Sequence, residues 1–298
     1  MIHLKKLILP SQSAEESFFS HQNYTCFHTP YPFLIFPEKE LRTVEFDDIT
    51  IFYGGNGSGK STLINVMAHK LNSVRYSDFN GAPFFEDYVD RCSIEKGRTF
   101  KRSFVLTSDD VFDYVLNARS VNEHIDDHRQ ELFERYAKIQ EEARKNPSIG
   151  RLKNLDDYER WSEARHIISP KKSKSSYIKK YCEKDLNLHS NGETAMTFFL
   201  NKIDNEAVFF LDEPENSLSI EFQIDLAEYI SNTVRATRSQ FIIATHSPIF
   251  LSLENAKIYN LDSCPVSTCA WTDLPNVRKY FDFFMKHKNK FKTVKGNK

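Results

Sequence analysis

Nine consecutive residues carry the plainest chemistry in the sequence: Gly54-Gly55-Asn56-Gly57-Ser58-Gly59-Lys60-Ser61-Thr62. They satisfy the spacing G-x-x-x-x-G-K-[ST], in which glycines let the backbone curl until several N–H groups converge on phosphate oxygens. The expected phosphate contacts are Gly54, Asn56, Gly57, Ser58, Gly59, Lys60, Ser61 and Thr62. Lys60 would neutralise the β/γ-phosphates and the Ser61 hydroxyl would ligate Mg2+. The helix that follows would add its positive N-terminal end. Only nine glycines occur in 298 residues, and four of them fall between positions 54 and 59. A chain this sparing with glycine has concentrated it where backbone must approach a ligand.

Three further segments supply side chains. The apolar run Ala207–Leu211 ends in Asp212-Glu213-Pro214. In a nucleotide site the first acid holds the metal and the second orients or deprotonates the attacking water. Asp212 therefore joins Ser61 as a metal residue, and Glu213 is a catalytic candidate. The run Phe241–Ala244 delivers Thr245-His246-Ser247. His246 would stand at the carboxyl edge of a strand, where ligands of open α/β sheets bind, and is the second catalytic candidate. Finally, Ser190-Asn191-Gly192-Glu193 precedes an apolar helix and offers a second anion-binding corner.

The elements that must position these groups alternate between strand and helix. Short strands are expected at Ile2–Leu9, Tyr31–Phe36, Thr43–Phe46, Ile49–Tyr53 and Phe104–Leu106. Ala207–Leu211 and Phe241–Ala244 are continuous apolar runs of the kind buried on both faces of a parallel sheet. Helical spacing marks Ser61–Leu71, Ile220–Thr233 (through Ile220, Phe222, Ile224, Leu226 and Ile230) and Asn276–Phe291, which runs into a Lys-rich tail. The pattern implies an α/β domain over 1–120 and 182–298. Between them, Val121–Tyr181 holds 11 acidic and 14 basic residues and reads as a charged helical insertion. Its helical stretches, Glu131–Lys145 and Leu155–Ile168, are separated by Asn146-Pro147-Ser148-Ile149-Gly150. Lys171–Tyr181 mixes five lysines with two tyrosines, a composition suited to gripping a nucleic-acid backbone with stacking.

Composition excludes several classes. Forty Lys+Arg against 41 Asp+Glu leave no global field drawing the molecule to polyanions. The longest apolar stretches are far too short to span a bilayer, and the N-terminus lacks the apolar segment of a signal peptide. Five scattered cysteines without a C-x-x-C pair suggest reduced thiols and a cytoplasmic location.

In chain order, the phosphate loop, Ser190–Glu193, the acidic strand end and His246 resemble the ABC-type P-loop ATPases. Ser190-Asn191-Gly192-Glu193 is similar to the signature of the structural-maintenance-of-chromosomes-like members, more than to the Ser-Gly-Gly-Gln of transporters. Asp212-Glu213-Pro214-Glu215-Asn216 likewise resembles the soluble branch, where transporters usually have Pro-Thr-Ser. The nearest likeness is to small stand-alone bacterial ATPases of this class. The resemblance implies a mixed, mainly parallel sheet flanked by helices plus a helical insertion, with ATP and Mg2+ as cofactors. It also implies two subunits pairing head to tail, each ATP held between one phosphate loop and the partner's signature. Asn191 departs from the usual small residue, and Ser219 stands where transporters often have Asp. Thr107-Ser108-Asp109 occupies roughly the place of the glutamine that contacts metal and water.

By resemblance alone, the setting would be DNA maintenance or defence against phage and plasmids. The expected partners are a second copy, DNA or RNA, and a separately encoded effector such as a nuclease or toxin, with no membrane insertion. Two other readings stay open: the ATP-binding subunit of a membrane transporter, and a nucleotide-gated binding module with little turnover.

Overall fold

The apolar runs of the sequence become the inner strands of a six-stranded sheet in the computed structural model, which describes residues 2–21, 29–77, 81–145, 191–203 and 206–291. The strands are β1 (Leu4–Ile8), β2 (Thr43–Glu45), β3 (Ile49–Tyr53), β4 (Ser93–Lys96), β5 (Ser103–Thr107), β6 (Val208–Asp212), β7 (Gln240–Ala244), β8 (Lys257–Asn260) and β9 (Ser267–Thr268). The large sheet has the order β5-β6-β7-β3-β8-β9, parallel throughout except for the antiparallel β8–β9 edge. Every residue of β3 and β7 is buried, as expected of central parallel strands covered on both faces. Ala244 lies opposite both Phe52 and Asp212, so the carboxyl ends of β3, β6 and β7 share one edge of the sheet.

A second, antiparallel sheet has the order β2-β1-β4. Gln240, at the start of β7, ties it to the large one. Its amide donates to Leu4 O (3.0 Å) and Asp47 O (2.9 Å) and accepts from Leu4 N–H (2.8 Å). A buried amide with all these partners supplied carries little desolvation cost.

The helices are α1 (Gln12–Ser20), α2 (Lys60–Lys70), α3 (Phe85–Arg91), α4 (Ser108–Lys145), α5 (Asn191–Lys202), α6 (Ile220–Thr237), α7 (Pro248–Leu251) and α8 (Pro275–Phe291). Residues Met1–Phe112 with Ala195–Lys298 form one compact unit, and Asp113–Thr194 form another. The described part of the second unit is most of α4 and the opening of α5. No helix among the described residues is long and apolar enough to cross a membrane.

Four elements differ from the periodicity reading. Tyr31–Phe36 is a run of turns, not a strand. Leu34 there takes a left-handed conformation (φ 68°) and donates its N–H to Glu15 Oε2 at 2.6 Å. Phe33 and Phe36 point into the core, with Phe33 stacked on Phe18 at 4.7 Å, so burial and not ladder pairing explains the apolar content. Glu131–Lys145 is the end of one continuous helix that begins at Ser108. In α6 the buried stripe is Leu226, Ala227, Ile230 and Thr233, whereas Ile220 and Ile224 are exposed. In α8 only Val277 is buried, and Tyr280, Phe281, Phe283, Phe284, Met285 and Phe291 face outward. The expected helix Leu155–Ile168, the Lys171–Tyr181 segment and the tail after Phe291 lie outside the described residues.

Candidate functional site

The glycine loop joins the end of β3 to the start of α2, and its conformation depends on two residues. Gly57 (φ 77°) and Gly59 (φ 100°) both occupy the left-handed region, which side-chain-bearing residues enter only at a cost. Gly59 also lies against the core. A Cβ there would sit 3.1 Å from Phe36 Cε1 and 3.3 Å from Ile35 Cγ2. Gly59→Ala is therefore expected to destabilise the protein by about 1–2 kcal/mol, measured by urea unfolding.

Lys60 begins α2 with its side chain turned back into the loop and only 4% exposed. Its Nζ donates to Gly54 O (2.7 Å) and Gly55 O (3.1 Å) and lies 3.4 Å from Glu213 Oε1. The Ser61 hydroxyl donates to Asp212 Oδ1 at 3.0 Å, although the two are 151 positions apart in sequence. Glu213 follows directly, in a left-handed conformation (φ 48°), with its N–H bonded to Ala244 O at 2.9 Å. His246 follows β7 at the same sheet edge, its Nδ1 3.2 Å from Glu215 Oε1.

Burial pushes the Asp212 carboxyl up to about 6, and the neighbouring Glu213 charge adds to this. The Ser61 hydrogen bond, Lys60 and Arg75 pull the other way without cancelling it. The sign for stability follows from the folded value lying above the ordinary 3.8. The stabilisation from the neutral acid is complete below pH about 4 and is lost as pH rises through about 6. Asp212→Asn keeps an acceptor for Ser61 and removes the buried charge. It is expected to raise the stability of the nucleotide-free protein at neutral pH by about 1–2 kcal/mol, less than the full displacement implies because the carboxyl is only partly covered. Thermal unfolding at pH 4 and pH 7.5 checks this, with the gain expected only at the higher pH.

Beside these groups lies a cavity of about 450 Å³ lined by Asn56–Thr62, Glu213, Tyr31 and Ile35. Its size is that of a small-molecule pocket. Its lining combines a cation and loop residues with an aromatic ring and an aliphatic chain. The Tyr31 hydroxyl is 3.1 Å from Thr62 Oγ1, which fixes the ring beside the loop. Ser61 and Asp212 present hard oxygen donors, the type Mg2+ selects, and the donor set fits that ion.

Most of the residues expected from sequence meet here. Asn191, Gly192 and Glu193 are the first residues of α5, in the unit Asp113–Thr194, and Ser190 lies outside the described residues. Of Thr107-Ser108-Asp109, Thr107 ends β5 directly opposite Asp212, while Asp109 is exposed. The buried acid of that turn is Asp110, whose Oδ2 accepts from Thr107 N–H (2.7 Å) and Oγ1 (2.9 Å).

Sequence reasoning missed Tyr31 and Ile35 as lining residues, Arg75 as a charge acting on Asp212, and Asp262. The Asp262 carboxylate accepts the Gly55 N–H at 3.1 and 2.9 Å, bracing the loop from the turn after β8. No local pattern announces that contact, because every residue except proline offers a backbone N–H.

No protein-family model and no curated protein matches the chain. Among solved structures, the Smc head domain with an extended coiled coil from Pyrococcus furiosus, bound to the C-terminal domain of ScpA, is similar at 14% identity with a TM-score of 0.41, over 97% of this chain and 100% of that one. The SMC head domain from Thermotoga maritima is similar at 15% identity with a TM-score of 0.39, over 90% and 99%. A metal-chelate type ABC transporter in an inward-facing conformation is similar at 14% identity with a TM-score of 0.40, over 95% and 90%. With scores this low, the character of the site rests on this chain's own loop, carboxylates and sheet edge.

Proposed function

We propose that the chain is a Mg2+-dependent ATPase of the ABC type, of the soluble structural-maintenance-of-chromosomes-like branch. The observation that carries the reading is the convergence of Lys60, Ser61, Asp212 and Glu213, from the loop after β3 and the end of β6, at one edge of a parallel sheet. The loop amides and Lys60 take the phosphates, and Tyr31 and Ile35 offer a face for the base. Ser61 and Asp212 would hold a magnesium ion, which when bound would supply positive charge against the negative charge developing during transfer.

Without nucleotide, Lys60 and Glu213 hold each other at 3.4 Å. A phosphate group competes for Lys60 and, by drawing it away, releases Glu213 to orient and deprotonate the attacking water. Turnover is thereby coupled to correct occupancy of the loop.

The closed state is a head-to-tail homodimer in which Ser190–Glu193 of one chain cover the ATP of the other. The pair drives or gates a partner in DNA maintenance or in defence against phage and plasmids, with DNA or RNA and a separately encoded nuclease or toxin as the partner classes, in the cytoplasm. The test is ATP hydrolysis by the wild type with and without Mg2+ and with and without DNA. Mg2+-dependent phosphate release stimulated by DNA is expected. Absence of hydrolysis under all four conditions contradicts the enzymatic reading, and absence of DNA stimulation contradicts the nucleic-acid setting.

A further inference from the structure

The turn Pro214–Ser217, directly after Glu213, buries a carboxylate for which hydrolysis as described has no use. The Glu215 side chain is only 6% exposed. Its Oε1 accepts from Thr245 Oγ1 at 2.7 Å and from the His246 backbone N–H at 2.8 Å. The His246 ring nitrogen Nδ1 lies 3.2 Å from the same oxygen. Oε2 has no hydrogen-bond partner among the described residues. Burying a carboxylate this deeply is costly unless donors meet it, and an apolar side chain would fill the space more cheaply. Both hydrogen-bond donors to it, the Thr245 hydroxyl and the His246 backbone N–H, come from these two residues, and the third close group is the ring nitrogen of the same histidine. The carboxylate is thus organised around one histidine.

We propose that Glu215 is the positioning residue for His246. Its carboxylate accepts a hydrogen bond from Nδ1–H, which fixes the ring's rotation and tautomer and leaves Nε2 as the nitrogen available to a ligand. The ring is 46% exposed, so Nε2 is within reach of solvent and substrate. When Nε2 takes up a proton from solvent beside a phosphate oxygen, the carboxylate stabilises the resulting imidazolium, as an acid behind a catalytic histidine does. The same turn also holds the other catalytic group, because Asn216 Nδ2 donates to Glu213 Oε2 at 3.0 Å. One short turn therefore orients both groups that would act on the γ-phosphate and its water. What Nε2 meets rests on the ATPase reading above; the tautomer does not.

The test combines imidazole 15N spectra, recorded at alkaline pH and assigned with His246→Ala, with steady-state ATP hydrolysis. In the wild type His246 is expected as the Nδ1–H tautomer, against the Nε2–H form that dominates in water. Glu215→Ala should convert it to Nε2–H and lower kcat about 10- to 100-fold with little change in KM. Glu215→Gln, which keeps an acceptor oxygen, should retain the tautomer and most of kcat. Glu215→Ala combined with His246→Ala should be no slower than His246→Ala alone, because the two residues act as a unit. A wild-type Nε2–H tautomer, or losses that multiply in the double variant, would overturn the proposal. If Glu215→Ala does not fold, the wild-type tautomer decides by itself. A wild type that shows the Nδ1–H tautomer yet hydrolyses no ATP would refute the ATPase reading while upholding the positioning contact.

Discussion

Lys60→Ala is expected to weaken ATP binding by at least about 10²-fold in affinity while leaving the protein folded. Among the described residues that line the loop cavity, Lys60 alone carries a side-chain cation. Phosphate groups bring several negative charges into that space, and loop N–H dipoles alone compensate them poorly. Each factor of ten corresponds to 1.4 kcal/mol, so two factors ask about 3 kcal/mol of one buried cation, a modest demand. In the free protein Lys60 contributes differently. Its partners are two loop carbonyls and Glu213, all of which water can satisfy once the side chain is gone. Titration calorimetry with ATP and Mg2+ measures the loss, and circular dichroism verifies the fold. Binding within tenfold of wild type would show that the loop does not hold the nucleotide through this residue.

Glu213→Gln is expected to separate binding from hydrolysis. The amide keeps the shape and can still accept from Asn216 Nδ2, which holds Glu213 Oε2 at 3.0 Å in the native protein. It cannot take a proton from water. Turnover is expected to fall by about 10²–10⁴, the contribution of a general base, with ATP affinity retained or raised because the ion pair holding Lys60 is gone. With hydrolysis blocked, the proposed closed dimer should accumulate. Light scattering after size exclusion is then expected to give a dimer with ATP and a monomer without it. A monomer in both conditions is incompatible with the sandwich in the isolated protein.

The two strands that end at the candidate site were legible because they are made of one kind of residue. Val208–Leu211 and Phe241–Ala244 are apolar without interruption, and no amphipathic surface element tolerates that pattern. The glycine loop was legible for a similar reason, since its conformation is demanded by residues 57 and 59 themselves. Periodicity failed where burial had another origin. Phe33 and Phe36 are as apolar as a strand requires, yet they fill space beside Phe18 and under Gly59 while the backbone turns through a left-handed Leu34. The exposed Ile220 and Ile224 show the converse: helical spacing identifies a face without saying whether a neighbour covers it.

The roles inside Asp212-Glu213-Pro214-Glu215-Asn216 divide along the same line. That acids follow a buried strand is a local fact. That Asp212 meets Ser61, Glu213 meets Lys60, Glu215 meets His246 and Asn216 meets Glu213 is spatial. Asp262 belongs with these, because its contact to Gly55 exists only through the pairing of Tyr53 with Asn260 across β3 and β8.

Taken by itself, the sequence determined the phosphate loop, the buried strands and the carboxylates and histidine at their ends, since each depends on residues adjacent in the chain. The tertiary structure alone decided which of these groups meet. The strand order β5-β6-β7-β3 sets Asp212 beside Ser61 and brings His246 to the same edge. Parallel neighbours are joined by hydrogen bonds between backbone groups common to every residue, so no local pattern announces which strand lies beside which. Partner and register are selected by packing of the whole domain, and the geometry of the site follows from that choice.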